Sequence, residues 1–273
     1  MIHRQPEPLN SFHVVSPSPM GGTDTFFFES LTTDQITSLP EKKQQQLRAD
    51  LCLFFPAVFT DKKDWEYMVR HFFYHPRDRV LRQTIFVRDK NKNIIALCAF
   101  DHGIFMVENK ELSLIYIHIR AIGPQFQTYG MGRIFSEKIL HALKPDILMT
   151  TCVQLASLNS WIKIKSPEIQ KEYTYYPRIE ILSGEEKTIH LPYNEINFIL
   201  KCFKLIYKSH VKENQDKLDK VVNNITVHLV RKGVSTCFDY PKWTEKGHKS
   251  RIAEDLGVTE EDSVLLVIKK KSI

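Results

Sequence analysis

The 273-residue sequence lacks any apolar run of the roughly 18 residues that a membrane-spanning helix needs. Its longest candidate, Leu51–Phe59, is interrupted by Pro56. The N-terminus has proline and polar residues where a secretory signal peptide would have its apolar core. From these absences we expect a soluble, cytoplasmic protein without a membrane span.

Paired cysteines and a strong net charge are also missing. The five cysteines stand far apart, with no CxxC pair and no His-x-x-x-His segment, which argues against a disulfide framework and a structural zinc site. We therefore expect reduced, mostly buried thiols and no bound metal. The formal net charge of +6 is modest for this length. It is compatible with an anionic ligand, but it does not indicate a nucleic-acid partner.

The distribution of proline, glycine and apolar residues divides the chain into three parts. Residues 1–24 contain prolines and a glycine pair without periodicity, which predicts a flexible leader. Residues 25–182 are predicted to form the core, beginning with helices over Asp34–Phe55 and Asp61–Tyr74 and continuing through a series of strands. Residues 183–273 are a C-terminal extension that we expect to pack on the core or complete it.

The strand predicted over Leu112–Ile122 has an informative alternation. Regular alternation puts two sets of side chains on opposite faces, with Leu114, Tyr116, His118 and Arg120 on one and Ile115, Ile117, Ile119 and Ala121 on the other. One face is therefore expected to be apolar, and the other to carry chemically active groups.

A glycine-spaced turn, GPQFQTYGMGR, follows this strand and leads into an amphipathic helix that ends at Lys144–Pro145. The next strand is predicted over Asp146–Leu155. A strand, a helix and a strand with short connections form a β-α-β crossover, so the two strands are expected to be parallel neighbours. Glycines at a helix N-terminus let an anion, above all a phosphate, approach the amide groups.

Two common phosphate loops do not fit this turn. A dinucleotide fingerprint requires a third glycine where Phe135 stands, and a Walker loop requires Lys and then Ser or Thr where Arg133 and Ile134 stand. The segment instead resembles the acyl-CoA pyrophosphate loop of the GNAT N-acetyltransferase superfamily. The signature of that loop is Gln or Arg, two residues, Gly, one residue, and Gly or Ala. Its three positions are filled by Gln127, Gly130 and Gly132.

The resemblance implies an α/β fold whose mixed central sheet is flanked by helices and splays open between the strands that end near Ile122 and Leu155. Acetyl-CoA or CoA, as co-substrate, is expected in that opening, with its pantetheine arm paired to the main chain at Ala121 and Ile122. Asn159 either faces this arm or is a helix cap or turn residue. The loop residues expected to hold the pyrophosphate are Gln127, Thr128, Tyr129, Gly130, Met131, Gly132 and Arg133.

Transfer of an acetyl group to an amine requires a base for the amine proton and an acid for the leaving thiolate. Many family members carry a glutamate base on the strand before the loop, and Tyr116 stands in its place. His118, on the same predicted face, is the other candidate base because an imidazole titrates near neutrality. The family's tyrosine acid has its first counterpart in Tyr173, within the segment Tyr173–Tyr176, whose tyrosines are otherwise strand aromatics. The remaining candidate acids or bases are Asp101 and Glu111.

A predicted C-terminal helix supports a second hypothesis. Its basic stripe, beside an apolar one, consists of Lys201, Lys204, Lys208 and Lys212. Such a stripe is typical of a solvated face, but it also occurs in helices that bind membranes or nucleic acids. The sequence favours an N-acetyltransferase that moves an acetyl group from acetyl-CoA to a primary amine of a small molecule or a protein lysine. The alternative is a non-catalytic binding protein that uses the basic region on an anionic partner.

Overall fold

The computed structural model of the chain describes residues 6–17, 21–59, 69, 72–76, 80–152, 155–162, 164, 166–182, 185–210, 225, 229–231, 244–245, 248–249, 251–259 and 262–273. The strands are β1 (Phe12–Pro17), β2 (Thr23–Thr32), β3 (Val80–Arg88), β4 (Ile94–Val107), β5 (Lys110–Ile122), β6 (Ile147–Cys152), β7 (Tyr173–Tyr176), β8 (Arg178–Leu182), β9 (Glu185–Ile189), β10 (Val230–Arg231), β11 (Thr244–Glu245), β12 (His248–Lys249) and β13 (Ser263–Lys270). The α-helices are α1 (Thr33–Thr37), α2 (Glu41–Val58), α3 (Met131–Leu143), α4 (Leu155–Ile162), α5 (Pro167–Glu172), α6 (Tyr193–His210) and α7 (Arg251–Asp255), and a 3-10 helix spans Pro124–Tyr129. Among these helices, none is long and apolar enough to cross a membrane.

One large mixed sheet organises the molecule. Its strand order is β1-β2-β3-β4-β5-β6-β13-β10, and β7 also pairs with β13. The β5–β6 pair is parallel, as the crossover predicted, whereas the other pairs in this sheet are antiparallel. Two small antiparallel ribbons, β8–β9 and β11–β12, lie outside it. The predicted α/β class, with a mixed sheet flanked by helices, is confirmed.

Helices cover both faces of this sheet. On one, here called the α3 face, Met131, Phe135 and Ile139 of α3 recur at four-residue spacing and are buried in one cluster with α4, α5 and strand residues such as Ile117. Full burial of a side chain the size of Phe135 stabilises the fold by about 1.5–3 kcal/mol.

The opposite surface of the sheet, here called the α6 face, carries two clusters side by side. Ile199 and Phe203 of α6 pack with Tyr116 of β5 in one cluster. In the other, Leu51 of α2 packs with Ala121 of β5. The polar side chains described below lie on the strands between these two clusters.

β5 contains a β-bulge that changes the predicted alternation. Its pairing with β4 joins Ala99 to Ile119 and Phe100 to Ile117, which leaves His118 as the extra residue. Up to His118 the prediction holds. Beyond the bulge it is wrong, because the extra residue exchanges the faces: Ala121 packs on the α6 face, and Arg120 turns to the α3 face.

The sheet opens between its two parallel strands. The β5–β6 pairing covers Leu114–Ile117 and Ile147–Thr150 and then stops. From this point β5 continues to Ile122 beside β4 alone, while the end of β6 stays with β13. The predicted splay is therefore present, and it is called the gap below.

The prediction of a flexible leader is wrong for the N-terminal segment that the structure describes. Residues 12–17 form β1, which pairs along its whole length with β2. Ahead of it, the amide of Leu9 donates to Gln83 Oε1 at 2.9 Å, and Gln83 Nε2 donates to Leu9 O at 2.6 Å. This segment is held by main-chain pairing and by a buried glutamine on β3. The proline content, on which the prediction of flexibility rested, does not reveal such contacts.

The helix predicted over Asp34–Phe55 is interrupted. Thr32 and Gln35 form a capping box that starts α1, and α2 begins only after Pro40. Proline suits a helix start but not its interior, so the break falls there. Most of the second predicted helix, Asp61–Tyr74, lies outside the described residues.

Candidate functional site

The floor of the gap is the exposed main chain of β5. The side chain of His118 is only 2% exposed although the residue as a whole is partly accessible, so the accessible part is its main chain. Ala121 and Ile122, predicted to pair with a pantetheine arm, lie on this stretch. A strand with one unpaired edge offers alternating N–H and C=O groups, to which an extended ligand can pair.

The glycine turn lies at the end of this stretch. Pro124–Tyr129 is a 3-10 helix, Gly130 has a left-handed φ of 70°, and α3 starts at Met131. A left-handed φ favours glycine, which explains Gly130. The helix start has no side-chain cap and no acidic residue in its first turn. The amide of Arg133 donates to Gly130 O at 3.0 Å, whereas the two amides before it, at Met131 and Gly132, precede the first helical hydrogen bond. The local potential at a helix start is positive, so the turn is suited to an anion.

The loop residues differ in their exposure. Gln127 and Thr128 are exposed, Arg133 is half-buried, and Met131 is buried beneath the turn in the α3-face cluster. The Arg133 side chain lies 3.9 Å from the carboxylate of Glu137, one helical turn on. The main chain of Met131 is thus at the predicted site, while its side chain is a packing residue.

Gly132 is a close-packing glycine between two helices. A Cβ at this position would lie 3.5 Å from the Cβ of Ser160 on α4 and 3.5 Å from Ile122 on β5. Those are ordinary van der Waals distances, so alanine fits and a larger side chain does not. The signature position that accepts Gly or Ala therefore has a structural basis in this chain.

The N-terminal hairpin β1–β2 anchors the loop, a contact that the sequence patterns did not indicate. Tyr129 donates its hydroxyl hydrogen to Asp24 Oδ2 at 2.8 Å, and Ser16 Oγ donates to Tyr129 O at 3.2 Å. The rings of Tyr129 and Phe126 pack edge-on against Phe26, with centroids 5.2 and 6.5 Å away. Tyr129 is therefore a tether of the loop as well as part of it.

Arg120 connects β5 to both helices beside the gap. Its guanidinium donates to Gly132 O at 3.3 Å and Ser136 Oγ at 3.0 Å on α3, and to Ser157 O at 2.9 Å and to Ser160 Oγ on α4. It also donates to Ser157 Oγ at 3.1 Å. The sequence placed this residue on the wrong face, because nothing in the alternation reveals a bulge.

Asn159 lies within α4, near the loop. Its neighbour Ser160 is the α4 residue that meets Gly132. The helix spans Leu155–Ile162, so Asn159 is an interior residue, and its interpretation as a helix cap or turn residue is wrong. Its half-buried side chain stays a candidate contact for the pantetheine arm.

A buried polar cluster lies beside the gap on the α6 face. Arg82 of β3 and Asp101 of β4 form a two-pronged ion pair, with Nε–Oδ1 at 2.7 Å and Nη2–Oδ2 at 2.8 Å. His118 Nε2 lies 3.6 Å from Asp101 Oδ1. All three side chains are almost completely buried. The bulge is what brings the histidine and the carboxylate together.

Burial and charge set the protonation of this cluster. Burial alone raises the pKa of Asp101, but hydrogen bonds from Arg82 and His118 outweigh it and hold that pKa far below its usual range. Burial lowers the pKa of His118, and the opposing influence of Asp101 does not fully compensate. The ring is thus neutral at neutral pH. A proton on Nε2, facing Asp101, makes Nδ1 the unprotonated, basic nitrogen.

Tyr116 belongs to the same region. Its hydroxyl lies 3.3 Å from Thr151 Oγ1 at the end of β6, and its ring is 6.4 Å from that of His118. Phe203 and Tyr207 of α6 pack edge-on against it. The structure therefore brings the two predicted proton-transfer residues together at the gap.

Tyr173 is not brought to this site. β13 meets the gap end of β6 through Val264 and runs toward the other end, where Lys270 pairs with Tyr173. Six residues separate these two positions of β13, about 20 Å at the rise of a strand. The prediction that Tyr173 reaches the site failed because the sequence contains no signal for the pairing of β7 with β13. Glu111, opposite Met106 near the β4–β5 turn, is exposed and also lies away from the gap.

The lysine stripe of α6 lies beside an apolar side of the helix that is buried against the sheet. The buried side of the helix consists of Ile196, Ile199, Cys202, Phe203 and Ile206. Lys201 forms an ion pair with Glu108 of the β4–β5 turn at 2.5 Å, and Lys208 is exposed. Lys212 lies outside the described residues. A solvated face over a core-packed stripe accounts for this pattern, so the alternative of a binding helix is not favoured.

Comparisons with known proteins find similarity among solved structures. No protein-family model and no curated protein matches the sequence. An aminoglycoside acetyltransferase from an uncultured soil metagenomic sample, in complex with sisomicin, is 18% identical with a TM-score of 0.35, over 62% of this chain and 95% of that one. A GNAT-family N-acetyltransferase from Escherichia coli, in complex with CoA, is 10% identical with a TM-score of 0.32, over 58% and 71%. An acetoin utilization protein from Exiguobacterium sibiricum is 12% identical with a TM-score of 0.35, over 62% and 78%. These likenesses are distant, and the function proposed next is drawn from this chain's own residues.

Proposed function

We propose that the protein is an acyltransferase that moves an acetyl group from acetyl-CoA to a primary amine. The observation that carries this proposal is the gap beyond Ile117 and Thr150, which opens directly beside the uncapped, glycine-led start of α3. An unpaired strand edge next to an anion-binding helix start fits a ligand with an extended amide arm and a diphosphate. Acetyl-CoA has both parts.

Different residues around the gap bind different parts of the cosubstrate. The amides of the turn from Gln127 to Arg133 hold the diphosphate, and the helix start supplies positive potential. The main chain at Ala121 and Ile122 pairs with the pantetheine arm, and Asn159 of α4 is assigned a contact with the same arm. When bound, acetyl-CoA supplies the activated acetyl group. All further steps use side chains of the α6 face.

Two side chains are assigned the proton transfers. The attacking amine must lose a proton, and neutral His118, whose Nδ1 is buried, accepts it at that nitrogen through water. Asp101, fixed by Arg82, orients the ring and stabilises its charged form. Tyr116 donates the proton that the departing thiolate requires, since its hydroxyl borders the gap next to Thr151. Exchange of the roles of His118 and Tyr116 is the alternative assignment.

The first test is calorimetric titration with acetyl-CoA and CoA. The wild type is expected to bind in the micromolar range that is common for enzyme substrates. Gly130→Asn and Gly130→Asp form a matched pair, because both side chains tolerate the left-handed φ and they differ in charge. The carboxylate repels the diphosphate, so Gly130→Asp should bind about tenfold more weakly than Gly130→Asn.

Two results contradict the proposal. One is a folded wild type that binds neither ligand. The other is equal binding by the Asn and Asp variants, which means that no anion lies at the turn. Where binding is found, thiol release from acetyl-CoA is measured against polyamines, aminoglycosides, amino acids and a lysine peptide to identify the acceptor.

A further inference from the structure

Arg120 is a cation at the gap that contacts no carboxylate among the residues that the structure describes. Its five acceptors are neutral carbonyl and hydroxyl oxygens, and its guanidinium lies 4.6 Å from the ring of Trp161. The two arginines of β3 differ in this respect. Arg82 is paired with Asp101, and Arg88 contacts Asp50 at 2.7 Å.

The two thiols near Arg120 do not neutralise it. Cys98 is its partner across the β4–β5 pair, and Cys152 ends β6. Burial raises the pKa of Cys98 to about 12 and that of Cys152 to about 11, although Arg120 opposes both shifts. Both thiols are therefore protonated at neutral pH. The positive charge of Arg120 is left without an anionic neighbour in the described part of the chain.

The position of Arg120 gives it a mechanical role as well. Beyond Ile117 no main-chain hydrogen bonds join β5 to β6, so the walls of the gap lack the usual support of a sheet. Arg120 lies at this point. It donates hydrogen bonds to the carbonyl of Gly132 at the start of α3 and to that of Ser157 on α4. A planar guanidinium with five N–H donors can hold two helices at once, whereas a lysine ammonium is a single point.

We propose that Arg120 is a positioning residue of the CoA site: it fixes the start of α3 and helix α4 at the gap, and the diphosphate of CoA supplies its missing counter-charge. This inference rests on the proposed function. Arg120 acts through the loop and the two helices. Its replacement should therefore weaken binding of the diphosphate even in a variant that stays folded.

The test compares CoA and ADP affinities of Arg120→Met, Arg120→Lys and the control Arg88→Met. Arg88 is also a partly buried strand arginine, but it contacts Asp50 and Glu29 near α2 instead of the gap. Arg120→Met should lower the affinity for both ligands at least about tenfold. Both carry the diphosphate, and the variant lacks the hydrogen bonds that order the loop. Arg120→Lys should remain weakened, since one ammonium cannot reach both helices. Arg88→Met should lower the melting temperature but leave both affinities within about twofold.

Each outcome decides the proposal. If wild type binds CoA and folded Arg120→Met binds as tightly, the role of Arg120 is refuted and the proposed function stands. If wild type does not bind CoA, both fail. If Arg120→Met does not fold, the Ser157→Ala/Ser160→Ala double variant replaces it, because it removes the two α4 hydroxyl acceptors and keeps the arginine. That variant should bind CoA about threefold or more weakly, and wild-type affinity would overturn the proposal.

Discussion

At the scale of single residues, His118 occupies the bulge between β4 and β5, where its ring shares the α6 face with Asp101. A bulge redirects side chains without changing the strand's partners. It also turns Arg120 toward α3, so one inserted residue gives both the proposed base and the proposed positioning residue their neighbours. The alternation of the sequence continues unbroken through this point. It therefore predicted the correct face of the sheet for His118 and the wrong face for Arg120.

Replacement of His118 by Ala is expected to reduce the rate of acetyl transfer about a hundredfold or more, as loss of a general base does. In the wild type, protonation of His118 removes its activity, so the rate falls on the acid side. Because burial lowers the pKa of His118, this fall should lie below the value of about 6.5 for a free imidazole. The measurement is the pH dependence of thiol release with the acceptor found by screening.

The control for this experiment is His141→Ala, at an exposed histidine of α3 that contacts Glu168. It should leave the rate and its pH dependence unchanged. A His118→Ala enzyme that keeps its rate within about threefold is incompatible with the role of His118 as the base and transfers that role to Tyr116.

His102 predicts how stability depends on pH. Burial lowers the pKa of His102 to about 4, and its Nε2 lies 2.9 Å from Ser113 Oγ. The unfolded chain binds a proton near pH 6.5 whereas the folded protein does not, so stability is complete above 6.5 and is lost as the pH falls toward 4. The loss is about 3 kcal/mol for this shift.

The check is urea unfolding of wild type and His102→Gln between pH 6.5 and 4. Glutamine keeps a polar group near Ser113 but does not titrate, so the variant should have the flatter profile. Parallel profiles for the two proteins would show that His102 is protonated equally in both states.

At the scale of elements, the parts predicted well are those whose signal is local. The turn from Gly123 to Gly132, α3 and the parallel β5–β6 pair follow from glycine spacing, helical periodicity and the crossover rule. The break before α2 also has local signals, the capping box that starts α1 and Pro40, but the long helical pattern outweighed them in the prediction. The pairing of β1 with β2 depends on contacts between segments that no helical or strand period connects, and it was missed. Tyr173 illustrates the same limit, because β7 pairs with a strand about 90 residues later, a partner that no sequence period announces.

Helix α6 is expected to matter through its apolar side. Phe203 is fully buried and stacks with Tyr207 at 4.9 Å between ring centroids. Phe203→Ala leaves a cavity against Tyr116 and should cost about 3–5 kcal/mol of the free energy of unfolding. Leu205→Ala on the exposed side of the same helix is the matched control and should stay within about 0.5 kcal/mol of wild type. Urea titration separates the two, and similar losses would mean that α6 does not pack as described.

At the scale of the whole molecule, the large sheet takes strands from both ends of the chain. β1 lies at one edge, and β13 pairs with β6 on one side and with β7 and β10 on the other. The predicted core over residues 25–182 therefore needs β13, from the C-terminal extension, to pair with β6 on the side away from the gap. Since β13 contributes Leu266 to the α3-face cluster and Val267 to the α6-face cluster, it stabilises both layers at once.

Deletion of residues 263–273 should consequently abolish cooperative folding of the whole sheet instead of loosening only its C-terminal part. The wild type should unfold in urea as one transition, with circular dichroism and tryptophan fluorescence coinciding, and the truncated chain should show none. Leu266→Ala gives a graded version, with an expected loss of about 2–5 kcal/mol in a chain of full length. A truncated chain that still unfolds cooperatively and binds CoA would show that residues before 263 hold the gap by themselves. The expected result places β13 within the folding unit that forms the gap, so the C-terminal extension and the proposed CoA site are stabilised together.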